Sequence, residues 1–241
     1  PVITLEIEGD GPAGRFVATA SPAGWVRATV DNPHVQADSR PDGKLDVAAV
    51  VGTSGRLIVT RDPGIGEPYR GVVDLVSGEI AKDLARYLDE SEQTPAAVLL
   101  GVFVVPEGRV EHAGGLLVQL LPGVSDAEAA ALVNRVNELG TVTAQLRAGN
   151  GPTDWLHLLF PDLEILDSAP AYFYCGCSRD RVERAIKLLG EAEIRSLLDR
   201  SLAEPVELVC GFCRTAYQVP RDDLARLLLE VEQESGRRAS S

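Results

Sequence analysis

The sequence contains no methionine, only three histidines and no apolar run long enough to cross a bilayer. Its longest nearly apolar run, residues 96–105, reaches about half of the roughly 20 residues that a membrane-spanning helix needs. We therefore expect no membrane partner. Because the chain begins at Pro1, inside strand-like sequence, and lacks methionine, we also expect its true start to lie upstream.

Basic residues are scarce, since 23 Lys and Arg stand against 36 Asp and Glu, for a net charge of -13. Such a chain repels nucleic-acid phosphates, so we expect no nucleic-acid partner. The composition, 45% hydrophobic and 24% charged, is typical of a folded globular protein and excludes a disordered one. Residues 171–241 carry 11 basic and 12 acidic side chains, nearly balanced, which predicts a domain boundary near Pro170.

The first part of the chain predicts an α+β domain built on an antiparallel sheet. Alternating apolar and polar residues between Pro/Gly turns predict an antiparallel meander of strands over residues 1–73. Ile80, Leu84 and Leu88 are then spaced four apart, which predicts a helix that covers one face of the sheet.

Two apolar strands, 98–105 and 116–121, follow this helix and complete the N-terminal domain, which we place at residues 1–123. A capping box at Ser125 then predicts the start of a helix, and Gly140 predicts its end.

Residues 124–170 predict a helical linker, interrupted by the Gly-Asn-Gly-Pro sequence at 149–152. The second half of the linker is too apolar to face water, so we expect it to pack on a neighbouring domain. Its apolar residues are Trp155, Leu156, Leu158, Leu159, Phe160, Leu163, Ile165 and Leu166.

The C-terminal part, residues 171–236 followed by a polar tail at 237–241, contains all of the cysteines. The pattern predicts a Cys-x-Cys segment, two helices, a hairpin with a Cys-x-x-Cys turn and a terminal helix from Asp222. A module of this size is expected to build only a small hydrophobic core, so an additional cross-link is needed to stabilise its fold.

The four cysteines, Cys175, Cys177, Cys210 and Cys213, form two close pairs separated by 32 residues. Four thiolates brought together suit the tetrahedral coordination of structural zinc. None of the histidines lies near the pairs in sequence, so an all-cysteine site is simpler than a mixed one. The spacing predicts a zinc site with four cysteine ligands.

Spacing alone leaves other interpretations open. The pairs could be disulfides of a secreted domain, or ordinary buried thiols. Cys210 and Cys213 could serve a thiol oxidoreductase, although that requires a thioredoxin-like βαβ context and the local sequence predicts a hairpin. A zinc-ribbon adaptor for nucleic acid or protein is disfavoured by the net charge of the chain. The basic cluster at Arg179, Arg181 and Arg184 does not change this, because acidic neighbours balance it.

The cysteines lie within a longer and more specific pattern. Its C-terminal segments are residues 174–183, 189–190, 209–213, 217 and 223–224. Its upstream segments, in order, are residues 68–71, 73–75, 77–81, 87–88, 91–93, 113–115 and 119–123. Over nearly the whole chain this pattern resembles the heat-shock protein 33 family, the redox-regulated holdase chaperones. The chain differs from that family in lacking its leading helical segment and in having Gly211 where an acidic residue is common.

The resemblance implies a mechanism and a set of site residues. Cys175, Cys177, Cys210 and Cys213 would hold one Zn²⁺ in the reduced, inactive protein. Oxidation to the disulfides Cys175–Cys177 and Cys210–Cys213 would release the zinc, unfold the linker and activate binding of unfolded client proteins. The family also implies a cytoplasmic location, no enzymatic activity and the option of a homodimer on activation.

Overall fold

The chain folds into two units, Pro1–Tyr172 and Phe173–Ser241. The computed structural model describes the backbone of residues 1–36, 39–41, 44–200 and 204–239. No described helix is long and apolar enough to cross a membrane. The α+β class that the sequence predicts is confirmed, whereas the predicted three-part division at 1–123, 124–170 and 171–236 stays a prediction.

A six-stranded sheet, counted within the described residues, forms the base of the first unit in the order β5-β4-β1-β2-β3-β8. Its strands are β1 (Val2–Gly9), β2 (Arg15–Ala20), β3 (Trp25–Val30), β4 (Gly55–Asp62), β5 (Tyr69–Asp74) and β8 (Tyr172–Phe173). The first five pair antiparallel, as predicted. The predicted meander is wrong, because β4 pairs with β1 and not with β3, the strand that precedes it in the chain.

A short helix, α1 (Val47–Val51), lies in the connection between β3 and β4. The sequence analysis placed these residues in a strand region, but the Asp46 side chain accepts a hydrogen bond from the Ala49 amide and begins a helix there. Val51 is 1% exposed and belongs to the core. The helix passes so close to β1 that a Cβ on Gly9 would lie 1.9 Å from the Val51 carbonyl oxygen, so β1 needs glycine at this point.

The predicted covering helix is α2 (Ile80–Glu90), which packs on the sheet. The buried Asp83 carboxylate accepts hydrogen bonds from the backbone amides of Val76 and Ser77 and so fixes the turn before the helix. At the other end, Tyr87 packs against the backbone of Gly71 on β5, where a Cβ would lie 2.7 Å from the ring. The core of the unit consists of Ile7, Val51, Leu57, Val59, Val73, Leu75, Tyr87 and Leu88.

Strands β6 (Ala96–Val104) and β7 (Val110–Gln119) pair as a separate two-stranded sheet. The strand predicted at 116–121 therefore begins earlier than expected. Its first half was missed because polar residues and the pair Gly114 and Gly115 break the apolar pattern. Gly101 of β6 lies opposite Gly114, which leaves a row of small residues on one face of this hairpin.

Three helices cover that face of the hairpin: α3 (Asp126–Leu139), α4 (Val142–Arg147) and α5 (Pro152–Leu159). The capping box of α3 and its end at Gly140 are confirmed. Trp155 and Leu159 are each 1% exposed. The expected packing of the linker is thus confirmed for these two residues, and the surface that they cover is the β6–β7 hairpin. By contrast, Leu158 and Leu166 face the solvent, at 59% and 91% exposure.

The second unit contains α6 (Arg179–Leu189), α7 (Glu191–Arg200), the hairpin β9 (Val206–Val209) and β10 (Ala216–Val219), and α8 (Arg221–Ala239). The predicted order of elements is confirmed, and α8 begins one residue before Asp222. The core is more substantial than expected. It consists of Ile186, Ile194, Val219, Leu224, Leu227 and Leu228, with further apolar side chains packed around it.

Candidate metal centre

The two cysteine pairs lie at two turns of the second unit. Cys175 and Cys177 precede α6, whose N-cap Ser178 accepts a hydrogen bond from a backbone amide of the first helical turn. Cys210 and Cys213 lie in the tight turn between β9 and β10. There the Cys210 amide donates to the Thr215 carbonyl, which closes the turn. The Cys-x-x-Cys sequence is therefore part of a hairpin and does not begin a helix after a strand, the context that a thioredoxin-like centre requires.

The four sulfurs converge in one cluster, and all of them lie within 4.8 Å of one another. Contacts across the two segments join Cys175 Sγ to Cys210 Sγ at 3.6 Å and Cys177 Sγ to Cys213 Sγ at 3.3 Å. These distances exceed a disulfide bond of about 2.05 Å, and all four thiols are free and half-buried. The expectation that the two pairs meet is confirmed.

The cluster fits a tetrahedral metal ion in size and chemistry. Zinc–sulfur bonds of about 2.3 Å place tetrahedral ligands about 3.8 Å apart, close to the cross-segment sulfur contacts. All four converging ligand atoms are sulfurs, the donor set of a structural zinc site. Each segment supplies two of them, so a bound ion would join chain segments that are far apart in sequence.

Two hydroxyl groups form hydrogen bonds with this cluster. Tyr217 on β10 donates to Cys177 Sγ at 3.1 Å, and the Thr215 hydroxyl lies 3.1 Å from Cys213 Sγ. The Thr215 hydroxyl and amide lower the pKa of the Cys213 thiol to about 6. For Cys177 the Tyr217 bond favours the thiolate, but contacts with the other sulfurs and burial together raise the pKa to about 11. The bond to Cys177 also raises the pKa of Tyr217 to about 12.

Sequence reasoning assigned no role to either hydroxyl. Tyr217 was noted only as part of the family pattern, and Thr215 was missed. The available signal was their position, two and four residues after the last cysteine, where a strand returning from the turn brings alternate side chains to the same side. Polar hydrogen-bond donors beside metal-ligating thiolates orient the ligands and reduce their negative charge.

The chain matches known proteins over most of its length. A model of the family described as Hsp33 protein matches residues 2–220. A 33 kDa chaperonin from Nostoc sp. is 43% identical over 238 residues, which cover 97% of this chain and 78% of that protein. One from Levilactobacillus brevis is 39% identical over 232 residues, which cover 95% of this chain and 78% of that protein.

A crystal structure shows the same fold. The 33 kDa chaperonin of Thermotoga maritima, described as a heat shock protein 33 homolog, has 34% sequence identity and a TM-score of 0.85. The match covers 96% of this chain and 79% of that one. The family model spans parts of both units and the range that contains all four cysteines, and the chain therefore belongs to the Hsp33 family.

Proposed function

We propose that this chain is a redox-regulated holdase chaperone, which binds unfolding proteins and catalyses no reaction. Its relatives are named chaperonins. The observation that carries the redox part is the convergence of four free thiols from two distant segments. Thiols remain reduced in the cytoplasm until oxidant appears, so we place the protein there.

In the reduced protein, Cys175, Cys177, Cys210 and Cys213 would together hold one zinc ion. A bound zinc would contribute folding free energy on the order of 10 kcal/mol or more, as in other small metal modules. Because each segment supplies two ligands, the thiolates then hold the start of α6 against the β9–β10 turn. Loss of these ligands would loosen the second unit at this junction.

Oxidation would remove the ligands by joining Cys175 to Cys177 and Cys210 to Cys213. In each pair two thiolates lose two electrons to form one S–S bond, and a peroxide takes up those electrons and two protons to leave as two waters. Each local disulfide closes a very short loop. By loop-closure scaling, a link across about 35 residues restricts the unfolded chain by roughly 2 kcal/mol more than such a short loop, so the long-range restraint is lost.

The client-binding surface would come from the linker and the hairpin beneath it. Helices α4 and α5 are far shorter than the roughly 12–15 residues that an isolated helix needs to be even marginally stable, so they depend on docking. Trp155 and Leu159 supply much of that docking, at about 1.5–3 kcal/mol for each buried side chain. Undocking would expose these residues together with Leu99 and Leu116 of the hairpin. Exposed apolar patches of this kind bind unfolded chains.

The direct test combines zinc content with suppression of aggregation. The reduced protein should hold one zinc per chain and protect a chemically unfolded client poorly. After treatment with peroxide, the same sample should release its zinc, bind a dye for hydrophobic surface and suppress aggregation without turnover of any substrate. Equal protection by the reduced and oxidised samples would reject the redox switch, and a zinc-free reduced protein would reject the metal site.

A further inference from the structure

Arg179 is the first residue of α6 and lies two residues after Cys177. Its guanidinium contacts three separate parts of the second unit. Nη1 donates to the Gln218 carbonyl at 2.5 Å, Nη2 pairs with the Asp223 carboxylate, and Nε lies 3.4 Å from Glu183. The side-chain cap of α6 comes from Ser178, so the contacts of Arg179 with Gln218 and Asp223 do not serve as that cap.

These contacts connect the two cysteine segments without a metal. Gln218 lies on β10, the strand that leaves the Cys-x-x-Cys turn, and Asp223 lies in the first turn of α8, directly after that strand. Arg179 belongs to the segment that carries Cys175 and Cys177. The guanidinium is therefore a bridge from one thiol pair to the element that supports the other.

Further ion pairs extend the bridge between α6 and α8. Arg226 on α8 pairs with Glu183 at 2.9 Å and lies 3.7 Å from Asp223. Lys187, two turns further along α6, pairs with Glu230 on α8. Networks of this kind contribute more than isolated surface pairs, which are worth little.

We infer that Arg179 is a positioning residue that holds the two thiol pairs facing each other, so that the metal site stays assembled before the ion binds. The inference rests on the proposed function only in requiring that the cluster bind a metal. A site that is already assembled binds its ligand more tightly, because less ordering is left to the binding step. The planar guanidinium of Arg179 holds its donors in a rigid fork and so fixes a carbonyl and a carboxylate relative to each other, whereas a lysine ammonium is a compact point charge on a flexible stem.

The test is the rate of zinc loss from the reduced, full-length chain to a chromophoric chelator. Arg179→Gln should release zinc about tenfold faster than the wild type, the lower end of what residues supporting a metal site contribute. Arg179→Lys should fall between the two, because it keeps the charge and loses the fork. Raising the salt concentration should accelerate zinc loss more in the wild type than in Arg179→Gln, which keeps only the Arg226 and Lys187 ion pairs among those described between α6 and α8.

Arg195→Gln is the matched control. Within the described residues, the ion pairs of Arg195 are with Glu191 on α7 and Glu232 on α8 of the same unit, and not with either cysteine segment. If Arg195→Gln accelerates zinc loss as much as Arg179→Gln, Arg179 contributes only general stability and the inference is wrong. Equal rates for Arg179→Gln and the wild type would also overturn it.

A second measurement covers the case in which Arg179→Gln folds poorly. In the metal-free reduced protein, backbone amides of 206–219 should exchange faster in Arg179→Lys than in the wild type, and unchanged exchange would contradict the inference. A wild-type chain that binds no zinc would instead reject the proposed metal site, so the two failures are distinguishable.

Discussion

Replacement of Gly101 by alanine tests whether docking of the linker holds the chaperone inactive. A Cβ at this position would lie 2.8 Å from Thr143 Oγ1, 2.9 Å from Val142 Cβ and 3.0 Å from the Thr143 amide nitrogen. Two of these atoms belong to rigid parts of α4, so the helix must move away from the hairpin. We therefore expect Gly101→Ala to favour the undocked linker in the reduced protein.

The expected size follows from the overpacking, which costs about 1–3 kcal/mol at a close contact. The preference of a strand for alanine over glycine leaves docking unchanged, because β6 is a strand in both the docked and the undocked state. The cost to docking is therefore about 1–3 kcal/mol, which raises the undocked fraction about five- to 150-fold. Gly114→Ala should have a smaller effect, because its Cβ would meet the Trp155 ring and a leucine methyl at 3.3 Å.

Gly115→Ala is the matched control. Gly115 is the next residue along β7 and faces away from the linker, where its Cβ would lie 2.7 Å from the end of the exposed Leu100 side chain and 3.0 Å from the Leu99 carbonyl oxygen. The assays are proteolysis within residues 141–170 and suppression of client aggregation, both on reduced, zinc-loaded protein. Gly101→Ala should exceed Gly115→Ala in both. Faster cleavage with no gain in aggregation suppression would refute the proposal that linker undocking creates the client surface.

Three further outcomes are expected. Cys177→Ser and Cys210→Ser should each lower zinc affinity, and a full zinc content in either variant would exclude that residue as an essential ligand. A peptide map of the oxidised protein should show disulfides within 175–177 and within 210–213. Disulfides that mainly join one segment to the other would contradict the proposal that oxidation frees the start of α6 from the β9–β10 turn. Hydrogen bonds from Ser125, the N-cap of α3, lower the pKa of Glu128 below its ordinary value of 4.5. The Glu128 carboxylate therefore supports α3 fully above pH 4.5, and this support is lost as the pH falls through the lowered pKa. Helicity should therefore fall less on acidification in Glu128→Gln than in the wild type, and identical titrations would reject this role.

Local signals made much of the fold predictable from the sequence. The capping box at Ser125 and the glycine at Gly140 mark α3 because they act within a few residues of the helix ends. The spacing of Ile80, Leu84 and Leu88 indicates α2 for the same reason. The two cysteine pairs predicted their own convergence because two close-spaced pairs are a recurrent metal-binding pattern.

Nonlocal contacts account for what was missed. The valine-rich segment Val47–Val51 lies in a strand-like stretch of sequence, and the Asp46 cap and the packing of Val51 in the core support the helix observed there. The start of β7 was missed because Gly114 serves the approach of α4, which is distant in sequence. The Arg179 bridge needs Gln218 and Asp223, about 40 residues away, so no local pattern could reveal it.

Hydrogen exchange of the α4 and α5 amides, residues 142–159, tests the central claim most directly. It should be measured in the reduced, zinc-loaded protein and in the oxidised protein holding a client. The account predicts protected amides in the reduced form and exchange close to that of an unfolded segment in the oxidised, client-holding form. If these amides stay protected while the client is bound, unfolding of the linker is not the switch.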